Sequence, residues 1–220
     1  MAYKIPVNYY SFFELDLDGN PVMVDGMPRR KEGNYTIWKN IQPKNTAIFV
    51  IDPWDDSPSQ HMNNVNGKII DEKVVPLLNV AEQSDHPIYI LTNDPKELEY
   101  SVSLHPSIKK ITQHKNVTMI YHRYTDYDFL STLKRNGIKS IIYIGFHSNG
   151  CILTRPAGMV AAVNVGFEVY FVPEASRAVE RPDTRETESV HKMVSEMVIS
   201  FALGGLIHLD DLMGALADGQ

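Results

Sequence analysis

The sequence predicts an α/β fold: a three-layer sandwich with a six-stranded, mainly parallel sheet flanked by helices, plus an N-terminal β-hairpin arm. Apolar runs of strand length alternate with amphipathic helical patterns over residues 46–216. The strand runs are apolar at nearly every position, which is typical of parallel strands that are buried on both faces. Parallel neighbours need helical crossovers, and the intervening patterns supply them. Residues 1–45 lack this alternation.

Composition restricts the classes of function. The chain has 220 residues, 43% hydrophobic and 22% charged residues, and a net charge of -6. The acidic balance and the lack of a basic cluster interleaved with aromatics argue against a nucleic-acid partner. No apolar run is long enough to cross a bilayer, and no secretory signal is visible. A single cysteine excludes an internal disulfide, so we expect a cytoplasmic protein.

The first 45 residues read as an arm. Residues 9–17 are rich in strand-forming side chains, residues 18–21 (Asp-Gly-Asn-Pro) signal a turn, and residues 22–24 provide a return strand. Because a two-stranded hairpin alone is marginally stable, we expect the arm to pack on the main domain or on a neighbouring subunit. The predicted division is therefore an arm over 1–45 and a main α/β domain over 46–220.

The main domain divides into alternating elements. The predicted strands are 46–52, 86–94, 117–121, 140–146, 168–175 and 206–209. The predicted helices are 69–81, 127–137, 151–165, 189–201 and 210–216. Right-handed crossovers then place the carboxyl ends of all six strands at one edge, where ligands bind in such sheets.

Cys151 stands where the fourth strand of this domain gives way to a helix, after the loop 147–150. A lone cysteine is most often a small buried hydrophobe. The start of a helix, however, stabilises the thiolate through the helix dipole and free N–H groups. The position therefore makes Cys151 a candidate nucleophile.

Asp52 ends the first strand of the domain and gives Cys151 a partner. If the two strands are neighbours, the carboxylate can take the thiol proton, and the thiolate can attack a carbonyl. Backbone N–H groups of Asn149, Gly150 and Cys151 would then hold the oxyanion. The chain has no phosphate-binding G-x-x-x-x-G-K-[ST], no G-x-G-x-x-G and no G-x-S-x-G elbow.

Several fragments in the same order resemble the isochorismatase-like cysteine hydrolases, which include nicotinamidases, N-carbamoylsarcosine amidases and ureidoacrylate amidohydrolases. The fragments are Ala-Ile-Phe-Val-Ile-Asp at 47–52, Arg-Tyr-Thr-Asp-Tyr at 123–127, Gly-Phe-His-Ser-Asn-Gly-Cys-Ile at 145–152, Gly-Phe-Glu-Val at 166–169 and Val-Pro-Glu-Ala at 172–175. The resemblance implies hydrolysis of a C–N amide bond through a thioester, by an Asp–Lys–Cys triad in which Asp52 and Cys151 fill two places. It also implies a cis peptide near Phe146–His147 and a homodimer or homotetramer.

The chain departs from the pattern of that family at the triad lysine. Tyr121 stands at the expected position and is followed by His122. Three interpretations remain open: the cation is lost, His122 or Arg123 supplies it, or the register differs. Residues 92–96 also lack the histidines of metal-binding nicotinamidases. We therefore expect no catalytic metal and no cofactor, and nicotinamide is disfavoured as a substrate.

Five side chains are candidates for substrate binding: Trp54, Tyr121, Arg123, His147 and Arg155. Trp54 offers an aromatic wall, with packing as the alternative role. Arg155 offers a guanidinium to a substrate carboxylate, or else pairs with Asp55 or Asp56.

The favoured function is a metal-independent hydrolase that cleaves an amide, ureido or carbamoyl bond of a small molecule. Two alternatives remain. One is a non-catalytic relative that binds a ligand or a protein partner, which the missing lysine motivates. The other is a vinyl-ether hydrolase of the isochorismatase type, which uses Asp52 without a covalent step.

Overall fold

The computed structural model of this chain describes residues 1–55, 59–97 and 102–218. Within them, eight strands form one sheet in the order β4-β1-β10-β9-β8-β5-β6-β7, and β2 and β3 form a separate pair. The strands are β1 Tyr3–Phe13, β2 Met23–Val24, β3 Met27–Pro28, β4 Arg30–Ile41, β5 Thr46–Ile51, β6 Ile88–Thr92, β7 Val117–Tyr121, β8 Ser140–Phe146, β9 Glu168–Arg177 and β10 Gly205–Leu206.

Helices cover the sheet between these strands. They are α1 Gln60–Ile69, α2 Val75–Gln83, α3 Pro106–Ile111, α4 Tyr127–Arg135, α5 Cys151–Thr154, α6 Met159–Val165, α7 Ser189–Ser200 and α8 Leu209–Asp218. A π-helical turn, Ile70–Val74, joins α1 to α2. Buried side chains of α2 and α8 join the apolar cluster on one face of the sheet, and those of α4, α6 and α7 join the cluster on the other.

The predicted α/β fold with a mainly parallel sheet is confirmed, but the sheet has eight strands rather than six. Strands β5 to β10 pair in parallel throughout. Strand β1 joins them in antiparallel fashion, with Asn8 opposite Leu206 of β10, and β4 follows as the edge strand. Tyr3, Ile5 and Val7 are buried in the core, so the first residues already have a core-facing side.

The pairing within the N-terminal segment also differs from the prediction. The partner of β1 is β4, with Tyr3 opposite Ile41 and Tyr9 opposite Tyr35. Residues 23–24 instead pair with β3 across a turn in which Asp25 and Gly26 both have positive φ. The predicted turn is confirmed in part, because Leu15 bridges Pro21 and the N–H of Val22 donates to the carbonyl of Glu14 at 2.8 Å. The long return strand is β4, which lies beyond the predicted one.

The predicted helix over 151–165 is broken in the structure. Helix α5 ends at Thr154, and Arg155 leaves the helical conformation with φ -59° and ψ 159°. A methyl group on Gly158 would lie 2.7 Å from the carbonyl oxygen of Leu153, so this close turn requires glycine. Pro156 cannot donate the backbone hydrogen bond that a continuing helix needs.

None of the described helices combines the length and the apolar character that crossing a membrane requires.

Candidate active site

The site lies at the carboxyl edge of the sheet, where β5 and β8 end side by side. Ile51 is opposite Gly145 in this parallel ladder. Gly145 has φ +108°, and a Cβ there would lie 2.3 Å from the carbonyl oxygen of Ile51. Only glycine therefore allows the strand that leads to Cys151 to approach the strand that carries Asp52 so closely. Asp52 itself has φ +45°, a strained conformation for a residue with a Cβ.

Asp52 is buried, with 2% of its surface exposed, and its backbone and both carboxylate oxygens have close neighbours. Its backbone N–H donates to the carbonyl of Leu91 at 2.9 Å. Its Oδ1 lies 2.9 Å from Nε2 of His122, and its Oδ2 lies 3.6 Å from Nη2 of Arg155. Among the described residues, Oδ2 has no hydrogen-bond partner.

Cys151 is half-buried and faces Asp52. Burial raises the pKa of the thiol, and the charge of Asp52 together with a hydrogen bond to its carboxylate raises this pKa further. The guanidinium of Arg155 and the backbone N–H of His147 act on the same pKa in the opposite direction. The thiol is therefore protonated at neutral pH in the resting site and has a carboxylate oxygen to which its proton can move.

Three separate elements anchor the loop that precedes Cys151. Ser148 Oγ hydrogen-bonds with Nδ1 of His191 on α7 at 2.9 Å, and its N–H donates to the carbonyl of Arg177 on β9 at 2.8 Å. Nε2 of His147 lies 3.2 Å from Nδ2 of Asn66 on α1. The peptide bond between Phe146 and His147 is cis, as the resemblance implied.

The three N–H groups predicted for the oxyanion hole are not equivalent. The N–H of Gly150 donates to the carbonyl of His147 at 3.0 Å. In the described part of the chain, the N–H groups of Asn149 and Cys151 donate to no backbone carbonyl. The Asn149 side chain is fixed by Val179, whose N–H donates to Oδ1 at 2.9 Å. The arrangement leaves two backbone donors beside the thiol, at the start of α5.

His122 is the member of the 121–123 segment that contacts Asp52. It is buried, at 5% exposed, in a 3₁₀ turn that follows β7. Arg123 pairs with Asp94 instead, and its guanidinium lies 4.8 Å from the ring centre of Tyr124.

Tyr121 and Trp54 lie near the end of β6. Tyr121 is opposite Thr92 and contributes to a cavity of about 210 Å³. Trp54 donates from Nε1 to Oγ1 of Thr92 at 2.8 Å. Both side chains thus lie near the end of β6, but the residues that line this cavity do not include Asp52 or Cys151.

The position of Arg155 beside Asp52 was not predicted from the sequence. Arg155 pairs with Asp52, whereas Asp55 accepts a hydrogen bond from Ser103 Oγ at 2.6 Å, and Asp56 lies outside the described residues. One signal was present, because Arg155 comes four residues after Cys151 and side chains at this spacing share a helix face. The supports from Asn66 and His191 have no counterpart in the local sequence pattern, since each comes from a distant helix.

No group of three His, Cys, Asp or Glu side chains converges to hold a metal ion within the ranges that the structure covers. The chemistry-bearing groups that do converge are a thiol, a carboxylate, an imidazole and a guanidinium.

Comparison with known proteins finds similarity in structure alone. No family model and no curated protein matches the sequence. A cysteine hydrolase from Pseudomonas syringae pv. phaseolicola 1448A superimposes with a TM-score of 0.63 at 14% identity, over 82% of this chain and 96% of that chain. The nicotinamidase of Staphylococcus aureus gives 0.57 at 17% identity, over 74% and 97%. YcaC of Escherichia coli, described as an octameric hydrolase of unknown specificity, gives 0.55 at 17%, over 81% and 82%.

These similarities confirm, at the level of the fold, the resemblance that the sequence fragments indicated. A protein from Burkholderia thailandensis described as belonging to the isochorismatase family also matches, with a TM-score of 0.55 at 14% identity. The chain therefore has the fold that cysteine hydrolases, nicotinamidases and isochorismatase-family proteins share.

Proposed function

Since the chain has the fold of the isochorismatase-like hydrolases, we propose that it is a metal-independent cysteine hydrolase. Its substrate is a small molecule with an amide, ureido or carbamoyl group, and the C–N bond is cleaved through a thioester. One observation carries the proposal: the Asp52 carboxylate is buried beside the only cysteine of the chain, and its Oδ2 has no hydrogen-bond partner among the described residues.

The first half-reaction begins with transfer of the thiol proton from Cys151 to Oδ2 of Asp52. The thiolate attacks the substrate carbonyl carbon, and the negative charge moves to the carbonyl oxygen. The backbone N–H groups of Asn149 and Cys151 stabilise this oxyanion. When the C–N bond breaks, the leaving nitrogen takes the proton from Asp52, and the acyl group remains on sulfur as a thioester.

The second half-reaction returns the enzyme to its starting state. Asp52 removes a proton from a water molecule, which attacks the thioester carbon. The C–S bond breaks, the acid is released, and the sulfur regains a proton from Asp52. His122 donates from Nε2 to Oδ1 of Asp52 and so holds the carboxylate in position through both steps.

The side chains around Cys151 favour a small, polar substrate. Nε of Arg155 is buried and has no hydrogen-bond partner among the described residues, so it can donate to a substrate oxygen. We expect His147, whose backbone N–H contacts the thiol, and Trp54, Tyr121 and Arg123, near the ends of β6 and β7, to contact the substrate.

We also propose that the working form is a cytoplasmic homodimer or homotetramer. The N-terminal hairpin supports self-association because it leaves apolar side chains exposed, including Phe12 at 62% and Trp38 at 56%.

The test offers the protein a panel of small amides, ureido acids and carbamoyl compounds and measures hydrolysis by the ammonia released. Cys151→Ala should abolish turnover and keep the circular dichroism spectrum of the parent, and Cys151→Ser should retain at most a trace. Mass spectrometry of the parent, quenched during turnover, should detect the acyl group on Cys151. Turnover by Cys151→Ala at the parent rate would disprove the assignment of the nucleophile. If Asp52→Ala lost turnover while Cys151→Ala kept it, the result would support the alternative in which Asp52 acts without a covalent step.

A further inference from the structure

Two side chains that can carry positive charge contact Asp52, one on each carboxylate oxygen. His122 meets Oδ1 and Arg155 meets Oδ2. We propose that Arg155 is the permanent cation of the site and that His122 serves as a neutral hydrogen-bond donor. The inference rests on the proposed cysteine chemistry and identifies the residue that takes the place of the absent lysine.

The hydrogen bonds of His122 fit its neutral form. Nε2 is 2.9 Å from Oδ1 of Asp52, so it carries the proton and donates. Nδ1 is buried and has no partner in the described part of the chain. In the neutral ring, this atom is an unused lone pair. In the imidazolium, it would be a charged N–H buried without an acceptor, which is far more costly.

Arg155 carries a positive charge, because a guanidinium does not lose its proton in proteins. Its Nη2 lies 3.6 Å from Oδ2 of Asp52. Its charge also opposes the rise in the pKa of Cys151 that burial and Asp52 cause. Arg155 still stands one helical turn after Cys151, since its φ is -59° and its N–H donates to the carbonyl of Cys151 at 3.1 Å, so both side chains lie on the same face.

This position suits the first chemical step. When the proton moves from sulfur to Oδ2, the negative charge moves from the carboxylate to the sulfur. Arg155 interacts with both groups, so it is next to the negative charge before and after the transfer. A fixed cation that acts on the thiol offsets part of the free energy that placing negative charge on the sulfur costs, and it need not move during the transfer.

The experiment measures the thiolate directly and needs no substrate. Iodoacetamide is neutral, and Cys151 is the only cysteine, so the rate of alkylation as a function of pH reports the titration of this thiol alone. Among the described residues, the charged groups that act on this thiol are Asp52 and Arg155, and the backbone N–H of His147 also contacts it. The variants are Arg155→Ala, Arg155→Lys and His122→Gln, with Arg181→Ala as the control, since Arg181 is exposed and pairs with Asp183.

Arg155→Ala should shift the midpoint of the alkylation profile upward by at least about 1 pH unit, the size expected when a charge this close is removed. Arg155→Lys keeps the positive charge, so its midpoint should lie much closer to that of the parent than the midpoint of Arg155→Ala. His122→Gln and Arg181→Ala should leave the midpoint within about 0.3 unit of the parent. An unchanged midpoint in Arg155→Ala, or the larger upward shift in His122→Gln, would overturn the proposal. Because alkylation involves no amide, a protein that fails to hydrolyse any substrate but shows the Arg155 shift would contradict the proposed function and leave this inference standing.

Discussion

Replacing Gly145 by alanine should destabilise the protein more than a positive φ alone explains. The added Cβ would lie 2.3 Å from the carbonyl oxygen of Ile51 and 2.7 Å from its nitrogen, so strands β5 and β8 must separate. The positive φ costs about 1 kcal/mol for a residue with a Cβ. Forcing a methyl group into a packed site adds about 1–3 kcal/mol. The expected loss is therefore about 2–4 kcal/mol in the free energy of unfolding.

Two other glycines separate these contributions. Gly26 has φ +78° and nothing within 4 Å of its virtual Cβ, so Gly26→Ala should lose only about 1 kcal/mol. Gly214, in α8, has equally open space and no positive φ, so Gly214→Ala should gain up to about 1 kcal/mol from helix propensity.

The assay is equilibrium unfolding in urea, with the three variants and the parent measured side by side at one pH. The difference between Gly145→Ala and Gly26→Ala isolates the contact between the two strands. If Gly145→Ala lost no more stability than Gly26→Ala, the close approach of β8 to β5 would not constrain the site as argued here.

Three further predictions concern charge, pH and association. Asp52→Asn removes the carboxylate that raises the pKa of Cys151, so iodoacetamide should alkylate the thiol faster at neutral pH while hydrolysis is lost; slower alkylation would contradict the electrostatic argument. Burial lowers the pKa of His86 from 6.5 to about 4, so the unfolded state binds a proton more readily than the folded state. The free energy of unfolding is therefore highest above pH 6.5 and falls as the pH is lowered toward 4. This contribution is about 2 kcal/mol between pH 7 and pH 5, and urea unfolding of His86→Gln should show a pH dependence weaker by that amount. Phe12→Ser with Trp38→Ser should reduce the mass in solution measured by light scattering, and an unchanged oligomer would exclude this face of the hairpin.

Much of the fold could be predicted from the sequence because buried parallel strands are apolar at every position. The run 140–146 is buried throughout as β8, and 46–51 is buried throughout as β5. The N-terminal strand was harder to predict from the sequence, because β1 is buried on one face only and Pro6 interrupts its apolar pattern. Its pairing with β10 depends on the last strand of the chain, which no local pattern can indicate.

The site could be predicted as far as the ends of strands determine it. Asp52 and Cys151 follow two strands that prove to be neighbours, so the sheet brings them to one edge. Which cation accompanies them depends on where Arg155 lies relative to Asp52, and the sequence pattern does not reveal this. A continuous helix was expected after Cys151; the helix ends early, but the N–H of Arg155 still donates to the carbonyl of Cys151 at 3.1 Å, and its guanidinium lies beside Asp52.

The place of β10 in the sheet affects the order in which the sheet can form during synthesis. This strand lies between β1 and β9 and is synthesised after all the other described strands. Until then, β4 is the only described strand with which β1 pairs. Contacts between the two ends of the chain raise the contact order and slow folding. A nascent chain that stalls before residue 205 would therefore carry an unpaired edge on β9, open to association with other chains.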